Sequence, residues 1–203
     1  PLSVLAHYQI STLKMHTIEP FYNWLNYYSA ADDPRSPLYG AEYSEFEYSN
    51  QIYGYYIHPQ WDYMESSTLF LKILFADYDN GFAIIEFIGE WNDTLHNDIM
   101  ILKRNIVEPL EQEGINKFIL IGENVFNFHG SDDLYYEEWF EDVEEGWIAA
   151  IGFQDFVVSE MKQYNIDNYI NFGGKLDDIN WRTMPPQKLY VLVDKLIQRR
   201  LGA

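Results

Sequence analysis

Lys117-Phe118-Ile119-Leu120-Ile121-Gly122 is an unbroken apolar run held between a lysine and a glycine. With no polar face, a strand here must be covered on both sides, as a parallel strand is between helices. On its N-terminal side, residues 94–112 place Leu95, Ile99, Leu102, Ile106 and Leu110 at helical spacing. Gly114 stands where a left-handed C-terminal cap belongs, and Pro109 is placed to kink the last turn. On its C-terminal side, 131–145 sets Tyr136, Trp139, Phe140 and Val143 at i, i+3, i+4 and i+7, with eight Asp and Glu residues on the remaining positions. That pattern predicts an amphipathic, strongly acidic helix.

Further outward, Thr68 to Tyr78 and Phe82 to Glu90 are apolar runs joined through Asp79-Asn80-Gly81. The Asn-Gly pair supplies the positive φ angles of a tight turn, so the two runs form a β-hairpin. Downstream, Trp147 to Phe153 predicts a strand, Gln154 to Tyr164 a helix, and Tyr169 to Phe172 a short strand. A last helix, Pro185 to Leu201, carries Leu189, Leu192, Val193, Leu196 and Ile197 as its apolar stripe, with Arg199 and Arg200 at its C-terminal dipole. The fold class is α/β: a mixed sheet in which an antiparallel hairpin precedes parallel β/α units, with helices packed on the sheet. Residues 66–203 make this domain. Residues 1–65 form a Tyr-rich N-terminal extension packed on it, since 12 of the 17 tyrosines fall in the first 80 residues. Within the extension, Ile18 to Ser29 reads as a short helix opened by Pro20, and Gln51 to His58 as a Tyr-rich strand stopped by Pro59.

Composition narrows the function. Of 203 residues, 32 are acidic and 13 basic, a net charge of -19 whose field opposes a phosphate backbone or an anionic membrane. An apolar fraction of 47% with 18% aromatics argues for a folded core. No apolar run of membrane-spanning length and no export signal is visible, which places the chain in the cytoplasm by default. Without cysteine, disulfides, thiolate nucleophiles and zinc-thiolate sites are excluded. The spacings of zinc proteases, phosphate loops, nucleophile elbows and EF-hands are missing, and no cofactor is implied.

In an open α/β sheet the crevice lies outside the carboxyl ends of the parallel strands. The segments there carry Glu90, Asn92, Asp93 and His96, then Glu123, Asn124 and His129, a set able to share acid/base work or hold a divalent metal. As ordinary structure, Asn92 or Asp93 caps helix 94–112 and Ser131 caps the acidic helix. Tyr53, Tyr55, Tyr56 and Trp61 could line an apolar ligand pocket or simply pack in the core.

The order hairpin, helix, strand, helix, strand, helix, strand, helix over residues 68 to 201 resembles the STAS domain (sulphate transporter and anti-sigma factor antagonist). The phrases IHPQWD, GEWND, GENVFNFH and YYEEW are similar to those of a bacterial protein family. The STAS resemblance implies a regulatory, non-catalytic domain that acts on another protein. It also implies a phosphorylated serine at the helix start after a middle strand, which falls on Ser131. STAS regulators carry an Asp-Ser-Ser-Gly-like sequence there, whereas this chain has Gly130-Ser131-Asp132-Asp133.

Two functions therefore stand open from the sequence, with a third possibility beside them. One is protein interaction through the acidic helix, with Glu137, Glu138 and Glu141 as its surface. The other is a ligand-binding or enzymatic site built from the carboxylates and histidines at the strand ends. Self-association, as a homodimer through the Tyr-rich extension, is the third.

Overall fold

In a computed structural model of the chain, residues 18–44 and 46–201 are described. Two short strands, Gln51–Ile52 (β1) and Tyr55–Tyr56 (β2), pair as a miniature hairpin. The expected strand 51–58 breaks there because Tyr53 and Gly54 both take positive φ, 52° and 76°, and reverse the chain. The helix expected over 18–29 is also absent. Hydrogen-bonded turns span 23–27, and the segment is fixed by distant partners: the Phe21 N–H donates to Glu86 at 2.8 Å, and Trp24 Nε1 donates to the Met184 carbonyl at 2.9 Å. Tertiary anchors override a weak local propensity.

The main sheet opens with Asp62–Tyr63 (β3), followed by Leu69–Asp77 (β4) and Phe82–Asn92 (β5), antiparallel in turn. The hairpin is as the sequence predicts, but only Gly81 of the Asn-Gly pair has positive φ. The Asp77 carboxylate instead accepts the N–H groups of Asp79 and Asn80 and shapes the turn.

The expected single helix 94–112 is interrupted. Asp93–His96 (α1) ends at Asn97, which is left-handed, and Asp98–Leu102 (α2) follows. A π-helical turn, Lys103–Val107, then leads into Glu108–Gln112 (α3). Pro109 has no N–H to give the preceding turn, and the chain widens just before it, the Glu108 N–H reaching back five residues to the Lys103 carbonyl. Gly114 takes positive φ beyond α3, as expected.

Lys117–His129 (β6) lies parallel to β5 and to Trp147–Ile151 (β7). It is longer than KFILIG, because residues expected to form a loop keep pairing with β5 as far as Asn92 opposite His129. Only 130–133 then connects to the acidic helix Leu134–Asp142 (α4), so Ser131 is not its cap. Asp133 occupies that position, and the Asp132 carboxylate accepts the Leu134 N–H. Asp155–Gln163 (α5) and Pro186–Leu201 (α6) follow their predicted positions. The expected strand 169–172 shrinks to one parallel bridge between Ala149 and Asn171.

Strand order in the sheet is β3-β4-β5-β6-β7, each strand beside its neighbour in sequence. Both crossovers wind the same way, so their helices fall on one face. There Ile99, Leu102 and Ile106 join Tyr136, Trp139, Val157 and Met161 over Ala83, Ile85, Phe87, Phe118 and Leu120. The opposite face has two coverings. At its lower end, α6 supplies Leu189, Val193 and Ile197 against Phe82, Ile84, Ile119 and Ile121. Beside them Phe21, Trp24 and Trp181 stack edge to face, with centroids 4.8 to 5.6 Å apart. Toward the carboxyl ends of β5 and β6, the N-terminal segment takes over with Ile52, Ile57 and Trp61 packed on Phe70 and Ile88.

Candidate functional site

Parallel registry brings the ends of β5 and β6 to one rim, with Glu90 opposite Asn127 and Asn92 opposite His129. There Glu90 Oε1 lies 2.9 Å from His129 Nε2 and accepts from Asn92 Nδ2 at 2.9 Å. Its other oxygen accepts the Tyr53 hydroxyl. The Glu90 side chain is 9% exposed and that of His129 42%, so the carboxylate sits beneath an imidazole that faces outward.

The proton arithmetic of this group is its chemistry. Asn127 Nδ2 is also 2.9 Å from His129 Nε2, and the amide is oriented by its own Oδ1, which accepts the Phe128 N–H at 3.0 Å. A neutral Nε2 accepts from Asn127; a protonated Nε2 donates to Glu90. The ring serves one neighbour at a time, and a proton decides which.

Tyr53 reaches Glu90 from the tip of the β1–β2 hairpin, in a left-handed conformation uncommon for a bulky residue. Tyr53 as a residue is 61% exposed, but desolvation of its hydroxyl at the rim, with Glu90 adding to it, pushes that group up to about 12.

Of the seven crevice residues expected from sequence, Glu90, Asn92 and His129 meet. Asn92 also caps α1, accepting the Leu95 N–H. Asp93 turns to the opposite core, where it accepts from Trp91 Nε1, the Ile99 N–H and the Tyr136 hydroxyl at 2.7 to 3.1 Å. Burial pushes its carboxyl up to about 7. His96 lies exposed on α1, and Asn124 stands opposite Ile88, lower on β6. Glu123 belongs to a different group: it accepts from Trp181 Nε1 at 2.8 Å and pairs with Arg182, which also reaches Glu86 at 3.3 Å. Glu86 has no exposed surface, and burial pushes it up to about 7 against the opposing Phe21 N–H and Arg182.

The acidic helix divides as well. Ser131, Glu137 and Glu141 are exposed, whereas Glu138 pairs with Lys103 and Arg104, each at 3.1 Å. The Lys103 side chain is fully buried and is also held by Glu108 and Asp142, so Glu138 anchors α4 to the π-helical turn.

Sequence reasoning missed two members of the rim. Asn127 sits within GENVFNFH, where only the expectation of a loop hid it. Tyr53 carries no signal of its role, because its approach depends on a two-residue turn. Sequence reading also passed over Lys72, inside the apolar run of β4. Its Nζ lies 3.3 Å from Asp62 Oδ2 and 3.6 Å above the Tyr43 ring. Burial draws the Lys72 amine down and pushes Asp62 up.

Among the described residues, no three His, Cys, Asp or Glu side chains are grouped to hold a metal ion, and no helix is long and apolar enough to cross a membrane. Comparison with protein-family models and with curated proteins gives no match for this chain.

Proposed function

We propose that this protein binds a small polar ligand at the carboxyl-terminal rim of β5 and β6, and exchanges a proton with it through the Glu90–His129 pair. The observation that carries this reading is the 2.9 Å contact between a buried carboxylate and a half-exposed imidazole at the ends of adjacent parallel strands. His129 is the group a ligand meets. Glu90 stabilises the imidazolium once the ring has taken a proton, while Tyr53 and Asn92 hold Glu90 in place. Asn127 holds the neutral ring when the proton leaves.

The test is a thermal-shift panel of small carboxylates, sugars, nucleosides and divalent metals against the wild type, His129→Ala and Glu90→Gln. At least one class should raise the melting temperature of the wild type and of neither variant. A flat wild-type response, or a response that survives in both variants, refutes the proposal.

A second reading is favoured by a separate observation: Leu134 and Phe140 are 63% and 47% exposed beside Glu137 and Glu141 on α4. Apolar groups rimmed by acids suit a basic protein partner. The antiparallel hairpin followed by sequential parallel units is also compatible with the STAS-like, regulatory reading. In that reading Ser131 is an accessible modification site, although Asp132 and Asp133 beside it would repel an added phosphate. Charge reversal at Glu137 and Glu141 should then abolish recovery of a partner with the fold intact. Unchanged recovery rejects it.

A further inference from the structure

Lys72 is the one polar residue in the interior of β4, and its side chain lines a cavity of about 220 Å³ between the sheet and the segment 19–30. Phe21, Leu25, Tyr28 and Leu74 supply apolar wall. The cavity opens to solvent past Leu25, and Glu19, Ser29 and Gln60 also line it; its volume exceeds the roughly 150 Å³ that holds benzene, so one six-membered ring fits here.

The ammonium has donors to spare. It carries three N–H groups, and among the described residues its acceptor is Asp62 alone, with oxygens at 3.3 and 3.4 Å. Both contacts are longer than the roughly 2.8 Å of a close charge-assisted bond. Asp62 Oδ1 accepts both the Tyr43 hydroxyl at 2.5 Å and the amine at 3.4 Å, and Oδ2 accepts no hydrogen bond. Tyr43 covers one side of the amine with its ring. Lys72 also stands opposite Glu86 in the strand register, but no ion pair joins them, because Glu86 is engaged by Phe21 and Arg182.

A buried donor beside an apolar cavity calls for a ligand with an acceptor at one end of an apolar body. That ligand is neutral. Asp62 already balances the ammonium, Glu19 lines the same cavity, and the whole chain carries a charge of -19, so an added anion would meet repulsion.

We infer that this cavity binds a neutral, ring-sized carbonyl compound, its oxygen on Lys72 Nζ and its body among Phe21, Leu25, Tyr28 and Leu74. The site is independent of the rim. Both lie on one face of the sheet, but Trp61, Phe70 and Ile88 form a core between them, and Glu90 is four residues beyond Glu86, about 13 Å along the strand.

The experiment titrates the ¹⁵N-labelled full chain with cyclohexanone, methylcyclohexane and cyclohexanecarboxylate, following amide shifts. Cyclohexanone should move the amides of 19–30 and 72–74 at millimolar concentration, at least tenfold more tightly than either comparator. Asp62→Leu combined with Lys72→Met removes both charges and strands neither; it should weaken cyclohexanone binding about tenfold or more. Ser29→Leu, which fills the cavity, should abolish it and decides the matter if the double variant does not fold. His129→Ala should leave it unchanged, which separates this site from the rim. The inference is overturned if these amides do not move, if methylcyclohexane or the carboxylate binds as well as the ketone, or if the Ser29→Leu chain binds as the wild type does.

Discussion

Stability of this protein should rise as the solution is made mildly acidic, the reverse of what a chain rich in ion-paired carboxylates would do. Glu86 is wholly buried, and its carboxyl is pushed from 4.5 to about 7 by desolvation. Between those values the folded chain holds a proton that the unfolded chain has released. Unfolding therefore becomes easier as pH climbs through that window, and the stabilisation is fully present only below about pH 4.5. At about 1.36 kcal/mol per pH unit, Glu86 alone corresponds to about 3 kcal/mol between pH 4.5 and pH 7. Asp93, moved from 3.8 to about 7 by burial in the other core, acts with the same sign and a similar magnitude. Glu111, part-buried beside Asp142 and Glu138, adds to them. Urea unfolding followed by tryptophan fluorescence at pH 5, 6, 7 and 8 should show a loss of several kcal/mol across the series. Glu86→Gln should lower the slope by up to about 1.4 kcal/mol per pH unit between pH 5 and 6, one proton's worth, the difference fading above pH 7, and should unfold at higher urea than the wild type at pH 8. Stability that is flat or increasing from pH 5 to pH 8, or a Glu86→Gln chain with the wild-type slope, would refute the reasoning.

Other substitutions test other parts of the structure by the same urea assay. Gly89 has φ of 122°, and a Cβ there would lie 2.1 Å from the Thr68 carbonyl oxygen, so Gly89→Ala should cost about 3 kcal/mol or more. Asn92→Ala removes the α1 cap and one bond to Glu90, and should cost about 1 kcal/mol. Glu138→Lys sets a third cation beside Arg104 and the buried Lys103 and should cost about 2 to 3 kcal/mol. Glu137→Lys on the exposed side should stay within about 0.5 kcal/mol. Equal losses for the last two would remove the structural role given to Glu138.

What the sequence disclosed follows from range. KFILIG, the hairpin around Gly81 and the stripe of α6 are local patterns, and each forms where its periodicity says. The continuation of β6 to His129 was hidden because Glu123, Asn124 and Asn127 read as polar loop, whereas pairing with β5 on one edge makes them strand. The break at Asn97 and the π-helical turn were hidden because Leu95 to Leu110 keeps an intact apolar rhythm across them. Three of the five rim residues were legible from topology. Glu90, Asn92 and His129 lie at strand ends that topology alone brings together, while Tyr53 arrives from a segment whose path is set by contacts with distant residues. Lys72 was invisible because its partner Asp62 is ten positions away on another strand.

The triangle of Phe21, Trp24 and Trp181 has a consequence for how the molecule is put together. Neighbouring strands of the sheet are also neighbours in sequence, but Trp24 closes against Trp181 and gives its indole N–H to the Met184 carbonyl, 160 residues later for the latter. The packing of Trp24 is thus complete only when residues from both ends of the described chain are in place. It ties residues 21–24 to the far end of the chain, whereas Tyr53 comes to Glu90 on a separate hairpin seated on β4 and β5 through Ile52, Ile57 and Trp61.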